Sequence, residues 1–166
     1  WLADHNKRAL LAPAGIGTID QALLAVLTSK HQSLRLLGLF HKVLVVDEVH
    51  ACDAYMRGVL ENLLEFHART GGSAILLSAT LPGRMKQALL AAFARGRNEA
   101  APALRTDAQA AFPLVTAWSA RMPGNTLETP IATRQAVRRR LGVRYVSEQS
   151  EVIAGIDAAL AAGKCV

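Results

Sequence analysis

Cysteine is nearly absent from this sequence. The 166 residues hold two, Cys52 and Cys165. Their spacing fits neither a zinc site nor a disulfide framework, which points to a reducing, cytoplasmic setting. No apolar run reaches the roughly 18 residues that a membrane-spanning helix needs. No charged-then-apolar leader opens the chain. The five histidines are His5, His31, His41, His50 and His67, and no two stand at a metal-site spacing. There is no internal repeat, and no low-complexity tract beyond local alanine enrichment. A phosphate-gripping loop of the form Gly, four residues, Gly-Lys-Ser/Thr is also missing. Gly163-Lys164 comes nearest, but Ala158 and Cys165 break the pattern, and the local order there reads helix then strand.

What is present is an apolar, mildly basic chain. Hydrophobic residues make up 51%, enough for one domain with a sizeable core. Lys and Arg number 19 against 13 Asp and Glu. That excess of six suits a polyanionic partner, and equally suits many domains that have none. The sequence opens on Trp1 and closes on Cys165-Val166, and it reads as a piece of a longer protein.

Organisation follows the hydrophobic pattern. Ala9–Ala14 reads as a short strand and Gly15-Ile16-Gly17-Thr18 as a turn. Thr18 is placed to cap a helix over Ile19–Leu27. Ser33–Phe40 reads as a second short helix. Val43–Val46 is a buried strand. From Ala54 to Ala68, apolar residues recur at Met56, Val59, Leu60, Leu63 and Leu64, the spacing of a helix with one buried face. Gly71-Gly72 ends it. Ala74–Leu77 is the next strand, and Pro82-Gly83 opens a helix over about Arg84–Ala94. Strand, helix, strand, helix is the pattern of an α/β fold with a parallel sheet. Beyond Arg95 the texture changes. Residues 96–113 are rich in Ala, Gly, Pro and charge. Leu114–Trp118 and Leu141–Val146 read as strands, Arg138-Arg139-Arg140 as a solvated face or a phosphate contact, and Glu151–Ala162 as a helix closed by Gly163.

Two motifs carry the chemistry. Val43–Val46 ends in Asp47-Glu48-Val49-His50, and Ala74–Leu77 ends in Ser78-Ala79-Thr80. In an open parallel sheet, ligands bind beyond the carboxyl ends of the strands, so the four polar side chains Asp47, Glu48, Ser78 and Thr80 are expected on one rim. Asp47 is then suited to hold magnesium beside nucleotide phosphates. Glu48 is suited to orient and deprotonate the attacking water, with His50 coupling the site to a neighbouring element. Two acids after an apolar strand also serve as ordinary caps of the following helix, and Ser-Ala-Thr alone is common by chance. It is the combination that favours nucleotide hydrolysis. Gly17-Thr18-Ile19-Asp20-Gln21 opens a helix whose free N–H groups could meet the phosphates of a nucleic acid. The plainer reading of that stretch is a well-capped helix.

Asp47-Glu48-Val49-His50 resembles the Walker B, or DExH, motif of superfamily-two helicases, and Ser78-Ala79-Thr80 resembles their motif III. Gly15–Leu24, Val43–His50 and Asp53-Ala54-Tyr55-Met56 together resemble the helicase part of the CRISPR-associated helicase-nuclease of type I systems. The resemblance is dense from about Trp1 to Phe93. It implies an α/β, RecA-like (P-loop NTPase) fold, incomplete here, with residues 1–95 from a first RecA-like domain, 96–133 a connector and 134–166 the start of a second. It implies ATP and magnesium as cofactors, with single-stranded DNA and a Cascade-type surveillance complex as partners. Asp47 and Glu48 would be the metal and water-activating acids. His50, Ser78 and Thr80 would couple hydrolysis to strand movement, while Gly17, Thr18 and Gln21 would lie on the DNA backbone. Three of the family's parts are absent from the sequence: the Walker A loop, the His-Asp nuclease dyad and an identifiable arginine finger. A different superfamily-two helicase acting on DNA or RNA, and a non-catalytic nucleic-acid-binding module, are the alternatives.

Overall fold

A computed structural model of the chain describes residues 11–104, 112–121, 126–135 and 142–164. The chain divides into two compact units, Trp1–Ile131 and Ala132–Val166.

The first unit is built on two parallel strands, β1 (Val43–Val46) and β2 (Ser73–Leu76), paired from Val43 with Ser73 to Val46 with Leu76. Parallel pairing demands a crossover, and α3 (Ala54–Arg69) supplies it. Alternation along the strand buries Leu44 and Val46 and leaves Val43 and Val45 exposed. The buried side meets the face of α3 that the apolar spacing marks. Val59, Leu60, Leu63 and Leu64 are buried there, and Met56 packs against them. Asp53 caps α3 by accepting the Met56 N–H at 2.8 Å. Gly71, at φ +85°, turns the chain out of it into β2.

Helix α4 (Gly83–Gly96) lies on α3. A Cβ at Gly96 would stand 2.1 Å from the Glu65 carbonyl oxygen, so only glycine lets the two backbones approach this closely. Ahead of the sheet, α1 (Ile19–Leu23) and α2 (Gln32–Leu39) are short. The helix expected over Ile19–Leu27 therefore stops early, and Thr18 makes no side-chain cap. Residues 12–14 are bends rather than strand, and Ala9 lies outside the described residues.

Within residues 96–133, β3 (Leu114–Ala117) pairs antiparallel with β4 (Leu127–Pro130). The ammonium of Lys86 in α4 donates to Glu128 Oε1 at 2.6 Å and Thr116 Oγ1 at 3.2 Å. Phe93 meets Trp118 edge-to-face with centroids 6.2 Å apart. Between β2, α4 and β3 runs an apolar groove of about 560 Å³, walled by consecutive residues of both strands.

The second unit holds α5 (Gln149–Ala161), whose Val152, Ile153 and Leu160 are exposed. Gly163, at φ +64°, ends it as expected, with the Gly163 N–H on the Leu160 carbonyl at 3.0 Å. The strand expected over Leu141–Val146 does not form at residues 142–146, where the backbone has no ladder partner. Arg138, Arg139, Arg140, Leu141 and Cys165 lie outside the described residues.

Candidate functional site

The two motifs emerge from adjacent parallel strands at the same end. The ladder continues past β1 and β2, with the Leu77 N–H donating to the Val46 carbonyl at 2.8 Å and the Val49 N–H to the Leu77 carbonyl at 3.1 Å. These bonds hold Asp47 and Glu48 beside Ser78. A single turn of 3-10 helix, Val49–Ala51, then lifts His50 over the second strand.

The polar side chains form one chain of contacts. His50 Nδ1 lies 3.1 Å from Ser78 Oγ and 3.3 Å from Glu48 Oε2. Ser78 Oγ donates its proton to the Thr80 carbonyl at 2.8 Å. A hydroxyl that has given its proton away can only accept from the ring, so His50 carries its hydrogen on Nδ1. That N–H faces both the serine oxygen and the glutamate. The rim thus links an acid on the first strand to the backbone beyond the second.

Glu48 itself sits at φ 54°, ψ 40°, in the left-handed region that non-glycine residues rarely enter. Its N–H donates to Asp47 Oδ1 at 2.9 Å, which ties the two acids together. One oxygen of Asp47 is occupied this way, and the other has no protein partner among the described residues. Magnesium is usually held by one or two carboxylates completed by phosphate and water oxygens. An exposed acid with a spare oxygen at a strand end fits that need. No group of three His, Cys, Asp or Glu side chains suited to a metal exists among the described residues.

The remaining candidates behave differently. Thr80 contributes its carbonyl to the rim, and its hydroxyl makes no hydrogen bond among the described residues. Gly17 and Thr18 lie in the extended lead into α1, with open space where a Gly17 side chain would stand. Gln21 Oε1 accepts from the Arg35 guanidinium at 2.6 Å. Among the described residues, no hydrogen bond joins Gly17, Thr18 or Gln21 to the rim.

Two titratable groups near these elements stand apart from ordinary values. Burial pushes the Cys52 thiol up, the Asp53 carboxylate adds to this, and Arg57 opposes it. Burial lowers His67, whose Nε2 lies 3.0 Å from the carbonyls of both Lys42 and Ser73. Sequence spacing passed over His67 because it sits on the apolar face of α3, where a histidine is indistinguishable from filler.

No protein-family model matches the chain. It is 54% identical over 90 residues to the CRISPR-associated endonuclease/helicase Cas3 of Escherichia coli, covering 54% of this chain and 10% of that protein. It is 38% identical over 122 residues to the CRISPR-associated nuclease/helicase Cas3 of Streptococcus thermophilus, covering 70% of this chain and 13% of that one. The solved structure of T. fusca Cas3 with AMPPNP superposes with a TM-score of 0.76 at 38% identity, over 96% of this chain and 19% of that chain. A chain of the CRISPR RNA-guided surveillance complex in a pre-nicking state gives a TM-score of 0.74 at 38% identity, over 93% and 20%. The chain spans about a tenth of the length of the curated relatives it matches. The α/β fold with its parallel strand pair is that of the corresponding part of these helicases, and in sequence and fold alike the chain is a partial counterpart of the CRISPR-associated helicase-nucleases.

Proposed function

We propose that this chain supplies the hydrolytic rim of an ATP-dependent translocase that moves on single-stranded DNA during CRISPR interference. The observation that carries this is the contact chain from Glu48 through His50 to Ser78 and the Thr80 carbonyl, set across the ends of two parallel strands. Asp47, with one carboxylate oxygen free of hydrogen bonds among the described residues, is the residue that would hold magnesium. A magnesium ion held there would supply positive charge to offset that of the nucleotide phosphates. Glu48 positions water in line and takes its proton, and its fixed backbone leaves little reorganisation to pay at that moment. The Nδ1–H of His50 reads the position of the Glu48 carboxylate and transmits it to the second strand end through Ser78. Gly17, Thr18 and Gln21 contact the DNA backbone, and a Cascade-type surveillance complex delivers the DNA. The lysine loop that grips phosphates is not in this sequence, so turnover belongs to a protein that also carries one.

The test is the magnesium dependence of DNA-stimulated ATP hydrolysis by the intact protein. Asp47→Ala is expected to raise the magnesium concentration needed for half-maximal rate by about tenfold or more, with DNA movement lost in parallel. An unchanged magnesium requirement removes Asp47 from the metal and overturns its assignment.

A further inference from the structure

His67 is a second histidine with a defined geometry, and it lies away from the rim. Its side chain is 3% exposed. Lys42 and Ser73 immediately precede and open the two strands, at the end opposite Asp47 and Ser78. His67 Nε2 lies 3.0 Å from both of their carbonyl oxygens. Carbonyls only accept, so Nε2 carries the hydrogen and shares it between the strands. Nδ1 is buried and has no hydrogen-bond partner among the described residues. The ring packs against Gly72, where a Cβ would stand 2.2 Å from Nε2.

We propose that His67 is an acid-released staple of the sheet: neutral, it fastens β1 to β2 through one shared N–H, and a proton taken at the enclosed Nδ1 unfastens them. A second N–H at Nδ1 has no acceptor, and a buried donor left unpaired is costly. Among the described residues, the new positive charge also has no anion to meet. From the segment after α4, Arg97 reaches in and donates to the Gly72 carbonyl at 2.7 Å. From the lead into β1, the Lys42 ammonium is turned away onto the Ala12 carbonyl, and the His41 ring lies against Gly71. From β2 the Ser73 carbonyl faces the ring. Just past the end of α3, the Thr70 hydroxyl donates to the His67 carbonyl rather than to the imidazole. The charge that acts on the ring is that of Arg97, a cation.

The sign follows from linkage. Burial and Arg97 hold the folded ring below its usual range, so the opened state binds the proton first. Closure is fully favourable above about pH 6.5, the value of a free imidazole. It weakens as pH falls from there toward the lower folded value.

Hydrogen exchange on the intact protein tests this, read at the Ser73 amide and across β1 and corrected for intrinsic rates. Protection in the wild type is expected to fall by up to about tenfold per pH unit below about pH 6.5. His67→Gln keeps an N–H in reach of the two carbonyls and cannot titrate, so its protection should stay level. Equal loss in both proteins, or no loss in either, overturns the staple. If the glutamine variant does not fold, nitrogen-resolved NMR of the wild-type ring decides. Proton uptake at Nδ1 should coincide with lost protection, and a ring that titrates while the strands stay protected refutes it.

Discussion

Glu48 is the residue on which the rim turns, because its backbone is held where an acid seldom goes. A left-handed conformation costs a non-glycine residue about 1–3 kcal/mol and persists only where surroundings over-determine it. Here Asp47 Oδ1 on its N–H and the ladder bond from Val49 to Leu77 fix it from both sides. His50 and Ser78 share one hydrogen bond, so their effects on coupling should not add. In DNA-stimulated ATP turnover, His50→Ala and Ser78→Ala are each expected to lose rate, and the double variant to be no slower than the worse single one. Fully multiplicative losses would show that the two act separately. Cys52 makes a contrasting residue-scale case. Burial and Asp53 keep its thiol protonated at neutral pH, with Arg57 opposing. In a time course followed by peptide mapping, it should alkylate far more slowly in the folded protein than after denaturation. Equal rates would contradict its burial.

Helix α3 is the element that holds the rim in place, since it begins four residues after His50 and carries the buried side of the sheet. Leu60, Leu63 and Leu64 are almost wholly enclosed. Leu63→Ala is expected to destabilise by about 2–5 kcal/mol in chemical denaturation. Val45→Ala, on the exposed sheet face, should cost much less. A similar cost for both would mean that the exposed face is covered. This helix was legible in the sequence because its apolar period matches its buried face residue by residue. Both strands of the parallel pair were legible too, β1 as a mostly β-branched run and β2 as an apolar one, each followed by polar residues. The hairpin was only half legible. Leu114–Ala117 has a strand's composition, but Leu127-Glu128-Thr129-Pro130 has no alternation to reveal it. It is a strand because its backbone pairs with Leu114–Ala117, a tertiary contact that Lys86 of α4 supports through Glu128. Thr18 has the chemistry of a cap, yet the five-residue α1 does not use it. The order of motifs told where the rim would lie. The left-handed turn at Glu48, and the use of the Thr80 carbonyl in place of its hydroxyl, follow from backbone angles and tertiary contacts that spacing does not encode.

Across the whole chain, the observations concentrate at one edge of a two-stranded parallel sheet. Val43, Val45, Ile75 and Leu77 are exposed apolar residues on and beside that sheet, whereas parallel sheets ordinarily have both faces covered. The chain matches only a tenth or so of its curated relatives' length. Activity is therefore to be sought in the intact protein. There the most direct measurement is single-turnover ATP hydrolysis by Glu48→Gln, with nucleotide binding measured alongside. Hydrolysis at this rim predicts binding within about twofold of wild type and a hydrolytic rate lower by about a hundredfold or more. A variant that binds and hydrolyses ATP like the wild type would contradict it.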